Sequence, residues 1–219
     1  MHSALKGEVG LTAEMEQLLS AVVQHRVPQS WLVNSYPTAT GLADWVQTLQ
    51  VRVETLQQYV QVEGGPVTVN LAAFINPMGF LNAVLLQHCR QQFRDVQTFQ
   101  YEVKVLEPSD LATTRPSSGI YLSGLHVHGA LWDGKNGGLQ QPPREHVTCG
   151  LPKVWMKIVD TSLRKSSQAK IPTYNCPLYI SAPKNDILGA QNVVMHLELP
   201  TAADTGVLVQ RRVFVTSAL

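Results

Sequence analysis

The sequence predicts an α+β fold, in which an N-terminal helical layer is followed by a small antiparallel β-barrel-like sheet. Apolar residues recur every three or four positions as far as about residue 95, which is the period of amphipathic helices. From about residue 98 the period changes to two, as in half-buried strands. Helices come first and strands after, without βαβ alternation, so an antiparallel sheet is expected. We therefore divide the chain into a helical part, 1–96, and a β-barrel part, 97–219.

The first helix is predicted to begin after Thr12. Threonine is a favoured N-cap residue, and Glu14 and Glu16 would lie in the first turn, where carboxylates suit the helix dipole. The helix should end before Pro28, because the residue preceding a proline avoids the helical conformation. An irregular segment with aromatic anchors follows.

Two longer helices come next. The second ends near Gly64-Gly65-Pro66, and its apolar residues step by three or four, at Leu42, Trp45, Val46, Leu49, Val53, Leu56 and Val60. The third begins at Asn76-Pro77, because asparagine is a good N-cap and proline is favoured at the first helical position. Its inner face is predicted to carry Phe80, Leu81, Val84, Leu85, His88 and Cys89.

The second half of the sequence holds the strand candidates. They are FQYEVKVL, IYLSGLHVHGALW, VWMKIV, CPLYIS, NVVMHLEL and VLVQRRVFV, separated by loops rich in Gly, Pro, Asn and Asp. Gly124 and Gly129 can permit bends or bulges within the second of them.

The composition excludes several classes of function. Of the 219 residues, 15% are charged and 44% hydrophobic. The net charge is +1 and no run of like charges stands out, so no nucleic-acid partner is expected. No apolar stretch approaches the ~20 residues of a membrane span, and we expect no membrane partner. The chain has three widely spaced cysteines, Cys89, Cys149 and Cys176. An odd number at such spacing argues against a disulfide framework and indicates a reducing compartment. Low charge also predicts an exposed apolar patch and weak self-association of the isolated domain.

Motifs that bind nucleotides or activate nucleophiles are missing from the sequence. It has no GxxxxGK[ST], no GxGxxG and no GxSxG. We therefore expect no catalytic residue, no cofactor and no ATP site in this chain.

The pair His126-Val127-His128 is the sharpest candidate for chemistry. On a strand, both imidazoles would lie on the same face, and Asp133 or His146 could add a metal ligand. The alternative is that both histidines face solvent or an interface. Two histidines alone are a weak signal because a zinc site needs three or four ligands, and we expect no bound metal.

Five segments carry a resemblance to a known family. They are VPQSWLVNSYPTATGLADWVQTLQVR, FINPMGFLNAVLLQHCR, GIYLSGLHVHGALWD, YNCPLY and NVVMHLELPT. In this order and spacing they resemble the C-terminal domains of dynein heavy chains. The positions that match the family's structural motif are Trp31, Tyr36, Pro37, Trp45, Arg52, Asn76, Pro77, Phe80, Gly124, Gly129, Trp132, Asp133, Pro177 and Asn192.

Some positions depart from the family pattern. Met78, His128 and Leu131 stand where the family usually has Gln, Glu and Arg. These departures favour a divergent member, of the dynein heavy chain domain-containing type, over a standard cytoplasmic heavy chain.

The resemblance implies a role without chemistry. In the family, this domain follows the sixth module of an AAA+ ring, lies across one ring face, and tunes the coupling of ATP hydrolysis to microtubule-based movement without hydrolysing ATP. It implies the AAA+ ring of the same heavy chain and other dynein subunits as partners. It also implies that the exposed apolar patch lies on the helical half, whose matched motifs are joined directly to the ring. The implied location is the cytoplasm, the cytoskeleton, or the axoneme of a cilium or flagellum. The alternative is a ciliary or cytoskeletal protein-interaction module that has lost motor regulation.

Overall fold

A computed structural model describes residues 6–7, 10–35, 40–63, 65–107, 110, 112–142, 147–163, 172–180 and 193–219. Its α-helices are α1 (Ala13–Val23), α2 (Gln29–Leu32), α3 (Leu42–Gln61), α4 (Pro77–Gln92) and α5 (Thr205–Gln210). Short 3₁₀ helices span Leu71–Ala73, Val96–Thr98 and Thr161–Leu163. None of the described helices combines the length and hydropathy required of a membrane-spanning segment.

The strands follow the helical part, apart from the short β1. They are β1 (Thr68–Val69), β2 (Phe99–Val105), β3 (Ile120–Leu122), β4 (Leu125–His128), β5 (Leu131–Asp133), β6 (Gly138–Gln140), β7 (Thr148–Gly150), β8 (Val154–Asp160), β9 (Thr173–Ile180), β10 (Val193–Pro200) and β11 (Phe214–Ser217). The α+β class predicted from the change of period is confirmed.

Helix starts follow the local chemistry of the sequence. The Oγ1 of Thr12 accepts a hydrogen bond from the backbone N–H of Met15 at 3.3 Å, which caps α1. The Oδ1 of Asn76 accepts one from the N–H of Gly79 at 2.8 Å, and Pro77 is the first residue of α4. Each bond satisfies an amide at a helix N-terminus that has no partner within the helix. These starts were predictable because the interaction is local.

The described strands form three separate sheets. One has the order β1-β3-β8-β2, the second β10-β9-β11-β4-β7, and the third pairs β5 with β6. Most pairs are antiparallel, but β1 pairs with β3, and β11 with β9, in parallel.

The predicted barrel-like closure is wrong for these strands, which stay in open sheets. The reason lies in the segment that includes Gly124 and Gly129. Both glycines have positive φ, +70° and +79°, a conformation that costs other residues free energy. The chain turns at each of them, so β3, β4 and β5 enter three different sheets instead of one continuous wall.

The segment VLVQRRVFV, predicted as one strand, forms parts of two elements. Its first half is the helix α5, and only Phe214 onward belongs to β11. Asp204 caps α5, because its Oδ1 accepts a hydrogen bond from the N–H of Gly206 at 2.9 Å. Arg212, with φ of +51°, turns the chain into the strand. A short apolar run fits either structure, and the cap and the complete burial of Leu208 favour the helix.

One hydrophobic core joins the sheets to the helical part. Its larger fully buried side chains are Leu71, Leu81, Leu122, Leu139, Met156, Leu178, Leu197, Leu199 and Leu208. Leu81 comes from α4 and Leu71 from the 3₁₀ turn before it, and both belong to the same cluster as the strand residues. The helices between residues 71 and 92 are therefore anchored to the sheets by apolar contact.

Candidate docking surface

One side of α3 packs on the protein through residues spaced by seven. Trp45 and Arg52 are buried, with 5% and 7% of their surface exposed, and Tyr59 is half-buried. The Trp45 ring stacks on Trp31 with centroids 6.0 Å apart. The guanidinium Nη1 of Arg52 donates a hydrogen bond to the carbonyl of Phe74 at 3.4 Å. Aromatic stacking and a backbone acceptor therefore set the orientation of the helix.

The valines on the apolar side of the same helix face outward. Val46, Val53 and Val60 each follow a residue of the buried line, and they are 37%, 45% and 86% exposed. One residue rotates a helix by about 100°, so the line of valines points well away from the packed side. Amphipathic helices normally bury their apolar stripe. Here the valines of the stripe are left at the surface, while its leucines are half-buried and Trp45 is buried.

Other exposed apolar side chains lie in the same part of the chain. Among the described residues, all the exposed large apolar side chains except Val209 and Leu219 precede residue 97. Phe93, which follows α4, has 95% of its surface exposed and a backbone φ of +52°. The remaining ones are Leu11, Val23, Trp31, Val33, Val51, Val62, Ile75, Met78, Leu86 and Val96. Among the described residues, the exposed large apolar side chains are thus concentrated on the helical half, where the family resemblance led us to expect the patch.

Aromatic rings hold α3 against the start of α4. Phe74 and Phe80 stack with ring centroids 4.1 Å apart, and Tyr59 lies 6.1 Å from Phe74. Phe80 comes one turn after the Asn76-Pro77 cap, which fixes its direction. Arg52 is bound to this group by the hydrogen bond that it donates to the Phe74 carbonyl. Three positions singled out from the sequence, Arg52, Pro77 and Phe80, therefore belong to one joint.

A polar joint connects α3 to the last strand through Asn70. The Asn70 N–H donates to the hydroxyl oxygen of Tyr59 at 2.8 Å, and its Nδ2 donates to the carbonyl of Ala218 at 2.7 Å. Its Oδ1 accepts from the N–H of Ala72 at 3.0 Å and from the hydroxyl of Ser217 at 2.9 Å. One side chain thus bonds the 3₁₀ turn to Ser217, the last residue of β11, and to Ala218, which follows it.

Gly124 is required at the same joint. A Cβ at this position would lie 2.6 Å from Nδ2 of Asn70 and 2.9 Å from the carbonyl oxygen of Ala218. A side chain would therefore displace the bond between those two residues.

The two histidines of β4 lie on its half-buried face, while Leu125 and Val127 are buried. Nε2 of His128 is 2.9 Å from Oγ1 of Thr216, and Nδ1 is 3.0 Å from Oγ1 of Thr148. Burial, and to a lesser extent the neighbouring His126, lower the pKa of His128. Both of its ring nitrogens are thus occupied by hydroxyl groups of the flanking strands.

The other proposed metal ligands do not complete a site in the part of the protein that is described. No group of three or more His, Cys, Asp or Glu residues there could hold an ion. Asp133 accepts hydrogen bonds from the N–H of Lys135 and from the side chain of Asn136, which lower its pKa and shape the β5–β6 turn. His146 lies outside the described residues. The three cysteines are free, and burial raises the pKa of Cys176 to about 12.

A comparison with protein families identifies the family of this chain. The family model that describes the C-terminal domain of dynein heavy chains matches residues 1–217. The protein belongs to this family.

Individual dynein heavy chains share modest sequence identity with this chain. The chain is 29% identical to human dynein axonemal heavy chain 17 over 82% of its length, which is 4% of that protein. It is 28% identical to human dynein axonemal heavy chain 1 over 99% of its length, 5% of the relative. For human dynein axonemal heavy chain 12 the identity is 28% over 97% of the chain, 7% of the relative. The chain therefore spans a small fraction of the length of these relatives.

The positions predicted to carry the family's structural motif fall into two groups. Trp31, Trp45, Arg52, Asn76, Pro77 and Phe80 lie in the helical part, and Gly124, Gly129, Trp132, Asp133 and Pro177 lie among the strands. Tyr36, Pro37 and Asn192 are outside the described residues. In the second group, the N–H of Trp132 donates to Sγ of Cys149 at 3.2 Å. Pro177 has no N–H, and parallel pairing of β9 with β11 begins at the next residue, Leu178.

Sequence reasoning missed Asn70 and Ser217. Their contact joins positions 147 residues apart, which no local pattern shows. A signal for Asn70 was present, since an asparagine directly before the apolar run Leu71–Ala73 is typical of a cap. No sequence signal of this kind was present for Ser217.

Proposed function

We propose that this chain is a non-catalytic C-terminal domain that docks on the AAA+ ring of its own heavy chain through its helical part, 1–96. The observation that supports this best is the concentration of exposed apolar side chains before residue 97. Large exposed apolar patches mark sites of protein contact. Membership of the dynein family supports the remainder of a heavy chain as the partner.

The strand-rich part, 97–219, supplies rigidity in this proposal. Its core includes Leu71 and Leu81, and Tyr59 of α3 packs against that core, so α3, α4 and the sheets form one packed unit. The Asn70 joint adds polar bonds between the same parts. A domain that is rigid and fixed to the ring can transmit changes between ring modules. We propose that this is how it regulates the coupling of ATP hydrolysis to microtubule-based movement.

The domain itself is proposed not to bind ATP. Its sequence lacks the loop that surrounds phosphates with backbone amides, together with the lysine that such loops carry. Isothermal titration of the isolated domain with MgATP should give no saturable heat. Saturable binding with micromolar affinity would contradict the proposal.

The location follows from the relatives. The similar proteins are axonemal heavy chains, so we propose the axoneme of a cilium or flagellum, with the cytoskeleton as the broader setting. Imaging of the full heavy chain tagged at a permissive site, in ciliated cells, tests this placement. A uniform cytosolic signal with empty cilia would contradict it.

Docking is tested by supplying the ring and this domain as separate polypeptides. We expect the two to co-purify, and we expect the ring's ATPase rate and its stimulation by microtubules to change when the domain is added. If the two bind but ATPase is unchanged, the regulatory part of the proposal is wrong. If they do not bind, docking itself is wrong, and the interaction-module alternative becomes the better account.

A further inference from the structure

The exposed face of α3 has the residue spacing of a coiled coil. Its apolar residues step alternately by four and three along the helix, at Leu42, Val46, Leu49, Val53, Leu56 and Val60. We name these six residues the α3 seam. The leucines are half-buried, while the valines are exposed. In heptad terms the valines occupy position a and the leucines position d.

We propose that the α3 seam binds one amphipathic helix of the AAA+ ring part of the same heavy chain, packed side by side as in a coiled coil. This rests on the proposed docking function and specifies the contact that performs it.

A helix fits the seam better than a strand or a loop. A 3–4 repeat sustained over a 20-residue helix keeps one line of side chains facing a second helix. A partner helix satisfies its backbone amides internally, so it can cover apolar side chains without burying unpaired N–H groups. A strand or a loop would bury such groups against the valines.

The charges beside the seam constrain the partner. The charged residues of α3 are Asp44, Arg52 and Glu54. Arg52 is buried on the packed side, and Asp44 lies on the far side of the helix from the valines, so Glu54 is the charge of α3 nearest to the exposed side of the seam. The other exposed neighbours of the valines are glutamines, at Gln47, Gln50, Gln57 and Gln61. A helix with neutral or basic residues beside its apolar stripe is complementary, while an acidic one would be repelled.

A second copy of this domain suits the seam less well. Stable interfaces between separate proteins use roughly 20–30 residues on each side. The seam offers six, and its leucines are already partly covered. A helix within the same polypeptide has an effective concentration in the millimolar range, so a small contact suffices. The size of the seam therefore favours a partner in the same polypeptide.

Site-specific crosslinking in the full heavy chain tests the proposal. A photoreactive benzoylphenylalanine is placed at Val46, Val53 or Val60, and in matched controls at Gln47, Glu54 or Gln61, one residue further round the helix. Seam positions should crosslink within the same polypeptide to one ring helix, at sites about seven residues apart in register. Controls should give weaker crosslinks or different sites.

Two results would overturn the inference. One is crosslinks that join two heavy chains, which would make a second copy the occupant. The other is the absence of crosslinks from the seam positions in the full heavy chain, although this domain, supplied as a separate polypeptide, still co-purifies with the ring. In that case docking stands and the seam is not its contact. Failure of co-purification would instead remove the proposed function.

A charge substitution gives an independent measurement. Val53→Glu should raise the dissociation constant of this domain from the ring at least ~10-fold, because the carboxylate would be buried against apolar atoms. The matched control is Val209→Glu, which changes an exposed valine of α5 outside the seam. Both variants should retain the wild-type circular dichroism spectrum and melting temperature. Equal binding by both variants would contradict the proposal.

Discussion

The hydroxyl of Ser217 donates a hydrogen bond to Oδ1 of Asn70 at 2.9 Å, across 147 positions of sequence. The other end of the same amide donates to the Ala218 carbonyl, so Asn70 fixes the last strand to the helical part. Ser217 is completely buried, and Gly124 leaves the space that the amide needs. This contact is a polar link between the two halves of the domain.

Asn70→Ala should therefore destabilise the protein substantially. It removes three side-chain hydrogen bonds and leaves the hydroxyl of the buried Ser217 without its Asn70 acceptor, for an expected loss of about 2–4 kcal/mol in the free energy of unfolding. Urea denaturation measures it. Asn82→Ala, on the exposed side of α4, is the matched control and should change stability by less than ~0.5 kcal/mol. Equal losses in the two variants would show that the joint contributes nothing.

The core position Leu81 and the exposed position Leu86 should respond differently to truncation. Both lie on α4, with 2% and 44% of their surface exposed. Leu81→Ala leaves a cavity and should cost about 2–5 kcal/mol. Leu86→Ala should cost less than ~1 kcal/mol in the isolated domain, because water already surrounds much of its side chain. Similar midpoints in thermal denaturation would contradict the packing of α4 on the sheets.

Protonation of His128 should weaken the fold as the pH falls. Its folded-state pKa is lowered from 6.5, so the unfolded protein takes up the proton first. Stability from this group is fully present above pH 6.5 and declines between that pH and the lowered pKa. His128→Gln should lose less stability than wild type between about pH 7 and pH 5. The exposed His196→Gln is the control, and equal slopes for wild type and His128→Gln would contradict the assignment.

Tag-free protein should hold no stoichiometric zinc. Both nitrogens of His128 contact threonine hydroxyls, which leaves no lone pair directed at an ion together with His126. Elemental analysis is the measurement. About one zinc per molecule, lost in the double variant His126→Ala and His128→Ala, would contradict this prediction and restore the metal hypothesis.

The isolated domain should self-associate weakly, and more at about pH 8 than at about pH 6. Its isoelectric point is near 7.8, so little net charge opposes contact of the exposed valines at the higher pH. Light scattering over a concentration series gives the apparent mass. Val60→Gln should reduce the association, while Val209→Gln, outside the α3 seam, should not. A strict monomer at high concentration near the isoelectric point would count against an exposed docking face.

The sequence by itself determined the features that depend on neighbouring residues. The caps at Thr12 and Asn76 are contacts over three positions, and the change from helical to strand period reflects which side chains share a face. These interactions are complete within a few residues, so their pattern is readable without the fold. The five family segments were visible for the same reason.

Only the tertiary structure decided which side of α3 is buried. Its apolar stripe predicts burial of Val46, Val53 and Val60, but the stack of Trp45 on Trp31 and the bond from Arg52 to Phe74 rotate them outward. The open sheets and the link between Asn70 and Ser217 were likewise decided by distant partners. These contacts join groups that are far apart in the sequence, so the local periodicity of apolar residues does not predict them.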